Sequence, residues 1–191
     1  MKLYGSIPSP FVRRNRIFLE DIDYEFVAMN IYEKDQREQL SALGPIKQIP
    51  ILVDGQTTVY DSRIIFRYLN DKYKKENLTI HDENIITMID ACNDAQVFLL
   101  MLVRSDIDIS QDKLFINNQK NRIVDTLAEL DKLASGNEFD QWNFKAICLY
   151  SLLDWMEFRE LQDLTGYKNL KQFLVNNKDR EFVVKTDPRN S

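Results

Sequence analysis

An α/β domain over residues 1–75, a linker over 76–82 and an all-helical domain over 83–191 form the architecture that the sequence predicts. Three observations predict it. Short runs rich in β-formers alternate with helical patterns up to Tyr73. Asp54-Gly55 stands between two of those runs, a strong hairpin signal. From Glu83 onward the apolar residues recur at helical spacing only.

Lys2-Leu3-Tyr4 reads as the first strand, and Pro10 to about Asp21 as a helix with Phe11, Val12, Phe18 and Leu19 at helical spacing. Tyr24 to Met29 reads as a second strand, parallel to the first through the intervening helix. The charged stretch Lys34 to Leu43 predicts a short helix ended by Gly44-Pro45. Ile51-Leu52-Val53 and Thr57 to Tyr60 form the hairpin. Asp61 then caps a helix to about Tyr73, with Ile64, Ile65, Tyr68 and Leu69 turned inward. The order is βαβ, helix, ββα.

In the second domain, Glu83 to Arg104 is apolar on more than one face, as a helix buried on two sides would be. Asp112 to Leu133 is a second long helix. Asn143 to about Glu160 is the third and, from its density of apolar residues, the central one. Shorter helices follow over Tyr167 to Val175 and Asp179 to Val184.

Composition narrows the function classes. With 44% hydrophobic and 29% charged residues, the chain reads as an ordinary globular protein. Its net charge of −5 argues against a nucleic-acid partner, which needs a basic surface. The strongly apolar run Val97 to Val103 is too short to cross a membrane, and no signal-peptide core follows Met1, so a cytoplasmic address is expected. Cys92 and Cys148 read as buried free thiols, and one histidine, His81, supplies no metal-ligand cluster, so no metal is expected.

One stretch carries chemistry. Ser9 is suited to cap the first helix and Pro10 to open it, which sets a hydroxyl beside unpaired backbone amides at a positive helix end. Such a place holds an anion well. From the residues alone this describes any capped helix, and Asp61-Ser62 could likewise serve only as a cap.

Ser9-Pro10-Phe11-Val12-Arg13 resembles the entry to the first helix of bacterial, serine-type glutathione S-transferases. Lys47-Gln48-Ile49-Pro50-Ile51-Leu52 is similar to that family's segment leading into its cis-proline strand, and Tyr60-Asp61-Ser62-Arg63 to its acidic-plus-serine motif. The chain departs from the family at Ala146, where an Asp would complete a capping box begun at Asn143, and at Asp21-Ile22-Asp23, where a turn glycine is usual. It therefore resembles a divergent member, with a thioredoxin-like first domain and an all-α helical-bundle second domain.

The resemblance implies glutathione as co-substrate and small hydrophobic electrophiles as acceptors. Ser9 would donate its hydroxyl to the thiolate. Gln48 would help with a backbone or carboxylate contact, Ile49 would offer its backbone groups, and a cis bond at Pro50 would turn them toward the ligand. Asp61 would hold the γ-glutamyl ammonium and Ser62 its carboxylate. The second substrate would lie between the domains near Ile7, Phe11 and Met101. The resemblance also implies a homodimer.

Other residues carry plainer readings. Arg13, Arg14 and Arg16 read as a solvated helix face, and Tyr4 as core or lining. The site lacks the cysteine that glutathione-dependent disulfide reduction would need. The alternative function is a non-catalytic binding protein on the same scaffold, like the stringent starvation proteins associated with RNA polymerase. The arginine cluster and the half-lost capping box are compatible with it.

Overall fold

The computed structural model describes residues 1–190 and divides them into two compact units. The first unit holds β1 (Lys2–Gly5), α1 (Pro10–Phe18), β2 (Glu25–Ala28), α2 (Lys34–Leu43), β3 (Ile51–Asp54), β4 (Thr57–Tyr60) and α3 (Ser62–Tyr73). The strands lie in the order β2-β1-β3-β4, with β1 parallel to β2 and the β1–β3 and β3–β4 pairs antiparallel. The hairpin loop falls one residue later than expected: Asp54 pairs with Thr57, and Gly55 occupies the first loop position at φ +61.

Strand alternation decides what each face buries. Leu3, Leu52 and Val59 stand opposite one another on one face and are buried, like Ile17, Phe18, Ile65, Phe66 and Leu69 of the helices α1 and α3. Tyr4, Ile51 and Tyr60 point to the other face, where they join Met29 and Leu40 in a second apolar cluster with Leu43 and Ile49. The Tyr60 hydroxyl donates to the Leu43 carbonyl at 2.9 Å, which pins the end of α2 to the sheet. A Cβ on Gly5 would meet the Val12 methyls at 2.5 and 2.6 Å, so the close approach of α1 to β1 requires glycine there.

Three expectations for this unit are corrected. The helix α1 stops at Phe18, where the Phe18 carbonyl accepts from Lys75 Nζ at 3.0 Å, instead of running to Asp21. Ile64 is 47% exposed, and Phe66 takes the inward place instead, edge-on to Phe18 at 4.9 Å. Arg13 and Arg14 are not solvated, being 3% and 2% exposed, while the Arg16 guanidinium lies over the Phe26 ring at 4.2 Å. Arg13 and Arg14 therefore offer no cationic surface of the kind that would be compatible with the alternative function.

The second unit runs from Leu78 to Lys178 and is all-helical: α4 (Ile80–Arg104), α5 (Leu114–Ala134), α6 (Phe144–Phe158) and α7 (Lys168–Asn177). The expected linker over 76–82 is shorter, because a capping box starts α4 at Ile80. Thr79 Oγ1 accepts the Asp82 amide at 3.2 Å and Asp82 Oδ2 accepts the Thr79 amide at 2.9 Å. The helix α6 is buried from Phe144 to Met156 and is capped by Asn143, whose Oδ1 accepts from the Ala146 amide at 3.1 Å. Asp131 of α5 caps α7 by accepting the Asn169 and Leu170 amides at 2.9 and 3.0 Å.

At 25 residues, α4 is long and apolar enough to pass as a membrane-crossing helix, a longer apolar span than Val97 to Val103 suggested. Ile85, Ile86, Ile89, Cys92 and Leu99 are nevertheless buried, and α4 packs on α5 and α6, as a core helix does. The expected second domain over 83–191 is also too long. Residues from Asp179, with α8 (Glu181–Lys185) and a last 3₁₀ turn, group with the first unit.

Candidate functional site

The N-terminus of α1 has the expected local form. Ser9 takes an extended backbone, and its Oγ accepts the Val12 amide at 3.4 Å, with Pro10 following inside the first turn. Accepting with a lone pair leaves the hydroxyl proton available to donate. Because Pro10 has no N–H and the Val12 amide is engaged, Phe11 contributes the remaining first-turn amide.

The N-terminus of α3 is more constrained. Asp61 sits at φ 67, a sparsely populated backbone for a non-glycine residue, and its Oδ1 accepts the Arg63 and Ile64 amides at 2.9 and 3.2 Å. That leaves the Ser62 amide and hydroxyl as the first-turn groups for an anion. Ser62 is 1% exposed, and Arg14 of α1 donates to its Oγ from Nη2. A buried guanidinium thus stands directly behind the α3 N-terminus, adding positive charge where an anion would be held.

The remaining predicted residues are placed as follows. The Ile49–Pro50 peptide is cis. The Ile49 side chain packs into the cluster of Met29, Leu40 and Ile51, so the backbone is what Ile49 has left to offer a ligand. Pro50 is buried and Gln48 exposed, next to Lys47 at φ 54. Ile7 and Phe11 are half-buried in the first unit, and Met101 lies on α4 of the second, 42% exposed. Tyr4 belongs to the second apolar cluster.

Residues 3–77 match the family model described as glutathione S-transferase, N-terminal domain. Over that stretch the chain is similar to the N-terminal domain of glutathione S-transferases. Glutathione S-transferase 4 of Zea mays is 40% identical over 81 residues, which is 41% of this chain and 36% of the maize protein. Glutathione S-transferase Z2 of Arabidopsis thaliana is 35% identical over 85 residues, 43% of this chain and 38% of that one. The chain thus matches little more than a third of the length of these curated relatives.

Solved structures extend the likeness in fold to the whole chain. A glutathione S-transferase from Methylobacillus flagellatus, crystallised with glutathione bound, superposes with a TM-score of 0.84 at 23% identity over 98% of each chain. Maleyl pyruvate isomerase, a bacterial zeta-class glutathione S-transferase, gives 0.80 at 19% identity over 100% of this chain and 98% of that one. The fold is therefore the thioredoxin-like domain plus helical domain that the sequence predicted.

Sequence reasoning missed Arg14 as part of this site. Its partner, Ser62, lies 48 residues away, and no local pattern announces the pair. The cysteines stand apart from this chemistry. Cys92 and Cys148 are free and buried, and burial pushes the Cys92 thiol up to about 11, so it stays protonated at neutral pH.

Proposed function

We propose that the chain binds glutathione on its first unit and conjugates the glutathione thiolate to small hydrophobic electrophiles. The observation that carries this reading is the buried Arg14–Ser62 hydrogen bond, which joins the helix opened by Ser9 to the helix opened by Asp61-Ser62. One side chain thereby ties together the two helices whose polar starts would receive the ligand's central thiol and its γ-glutamyl carboxylate.

Each residue then has a task. Ser9 donates its hydroxyl to the thiolate, beside the Phe11 amide. A free thiol titrates near about 8.5, and lowering that by about two units needs only ~2.7 kcal/mol of preferential thiolate binding. One hydrogen bond to a charged group plus a helix terminus is of that size. Ile49 clamps the cysteinyl unit through its backbone, Gln48 assists from the exposed loop, and the cis bond at Pro50 presents that backbone. Ser62 receives the γ-glutamyl carboxylate, and the Asp61 oxygen not used in capping receives the ammonium. Ile7 and Phe11, flanking Ser9, give the electrophile an apolar wall. There the thiolate, its proton already released to solvent, uses its electron pair to form the new carbon–sulfur bond, and in an aryl halide the carbon–halogen bond breaks with its pair leaving as halide.

Calorimetric titration with glutathione tests the reading. Micromolar-to-millimolar binding is expected, weakened about tenfold or more in Ser62→Ala, the loss of one hydrogen bond to a charged group. No heat from the unmodified chain overturns the reading and leaves Ser9, Asp61 and Ser62 as helix caps.

We further propose that the protein is a homodimer in which α4 contributes to the interface. Phe98 and Val103 of α4 are 48% and 50% exposed, and large apolar side chains in such positions suit a covered face. Light scattering at micromolar concentration should give twice the chain's 22.6 kDa, and a monomeric mass would refute the dimer.

A further inference from the structure

Arg13 lies one turn beyond Ser9 on α1 and is buried, yet the chemistry above gives it no part. A guanidinium out of water is costly unless its donors are met. The far end of the chain meets them. Arg13 Nη2 donates to the Val183 carbonyl at 3.0 Å and Nε to Thr186 Oγ1 at 3.3 Å. The Thr186 hydroxyl donates its proton to the Phe182 carbonyl at 2.6 Å, which leaves a lone pair for the guanidinium. Val183 and Thr186 stand in the last turn and at the C-cap of α8, where carbonyls lack helical partners and a cation is favoured.

The same residue acts on the other side through its backbone. The Arg13 amide donates to the Ser9 carbonyl at 2.9 Å and closes the first turn of α1. One residue therefore links the C-terminal segment to the turn that presents the Ser9 hydroxyl.

We infer that the segment from Asp179 onward is a clasp on α1, and that Arg13 is the positioning residue through which it fixes Ser9 for thiol chemistry. The thiol part rests on the glutathione reading above; the clasp itself does not. Residues of the chain's last dozen positions thus determine the order of a site at its beginning.

The test compares the full chain with Arg13→Met, Arg13→Lys and Thr186→Val by two readouts. The first is amide hydrogen exchange over residues 9–18 without glutathione, which reports local opening of the helix. The second is the ultraviolet absorbance of the bound thiolate titrated against pH. Arg13→Met is expected to speed exchange of the first-turn amides about tenfold and to raise the bound thiol's titration by about one pH unit, which from about two units below the free thiol cuts the thiolate at neutral pH about threefold. Arg13→Lys should recover part of both, since an ammonium reaches one of the two acceptors. Thr186→Val keeps the shape and should move both in the same direction by less. If Arg13→Met does not fold, Thr186→Val decides by the same measurements. Lower melting temperatures with unchanged exchange and unchanged thiol titration overturn the inference. If the unmodified chain binds no glutathione, the proposed function fails, and exchange alone decides the clasp: unchanged rates in Arg13→Met and Thr186→Val overturn it.

Discussion

Ser9→Ala is expected to lower glutathione-conjugating turnover about a hundredfold while the protein stays folded. A hydrogen bond to a charged group contributes about 1.5–3 kcal/mol, which corresponds to roughly ten- to 150-fold in rate. The structural cost is smaller. Losing an N-cap costs about 1 kcal/mol, and the Ser9–Val12 bond, at 3.4 Å, is a long one. The split between constants separates the two roles. Ser62, Asp61 and Ile49 would still grip the rest of the tripeptide, so kcat should fall far more than KM for glutathione rises. Ser9→Thr retains a hydroxyl and should recover much of the rate. Steady-state assays with an aryl halide and glutathione settle the matter, and a Ser9→Ala enzyme as fast as the unmodified one would show that the residue is a cap and nothing more.

Backbone-level features were legible because their causes are local. The hairpin follows from Asp54-Gly55 between two β-rich runs, the α3 cap from Asp61, and the α2 span from its charged pattern closed by Gly44, whose Cβ position is filled by the Tyr60 ring. The Thr79–Asp82 capping box was equally local, a Thr followed three residues later by an acid. That box starts α4 at Ile80, inside the stretch where the sequence reading places a linker.

What the sequence withheld depends on contacts across the chain. The inward stripe of α3 could fall on Ile64 or on Phe66, and the Phe18 ring across from it decides for Phe66. Three arginines in four positions look like a solvated face until their acceptors are known. Arg14 finds Ser62 and Arg13 finds Val183 and Thr186, partners separated by 48, 170 and 173 positions. The grouping of the C-terminal segment with the first unit was hidden for the same reason.

In the second unit the largest expected effect belongs to Lys145→Met, which should destabilise that unit by about 3 kcal/mol at neutral pH, because removing one partner of a buried ion pair strands the other. Lys145, on α6, is 4% exposed. Its ammonium lies 2.7 Å from Asp82 of α4 and 2.8 Å from Glu138, which also sits 3.0 Å from the His81 ring. Burial alone would raise Asp82, but hydrogen bonds from Lys145 and Thr79 outweigh it and hold the carboxyl at about 2. Hydrogen bonds from Lys145 first, then His81, hold Glu138 below the usual carboxylate range. A carboxyl whose folded value is depressed stabilises the fold above its unfolded value, near about 3.9 for Asp. That contribution is lost as pH falls from about 4 toward 2, and for Asp82 it is on the order of 2 kcal/mol. The unmodified unit should therefore weaken steeply across that window, and Lys145→Met less, since Asp82 no longer faces a cation and Glu138 keeps only the His81 ring. Both tryptophans, Trp142 and Trp155, lie in this unit, so urea unfolding followed by their fluorescence at pH 7, 4 and 2.5 reads it directly. Equal losses on acidification in the two proteins would mean that the ion pairs contribute nothing to joining α4 and α6, leaving packing alone to hold the bundle.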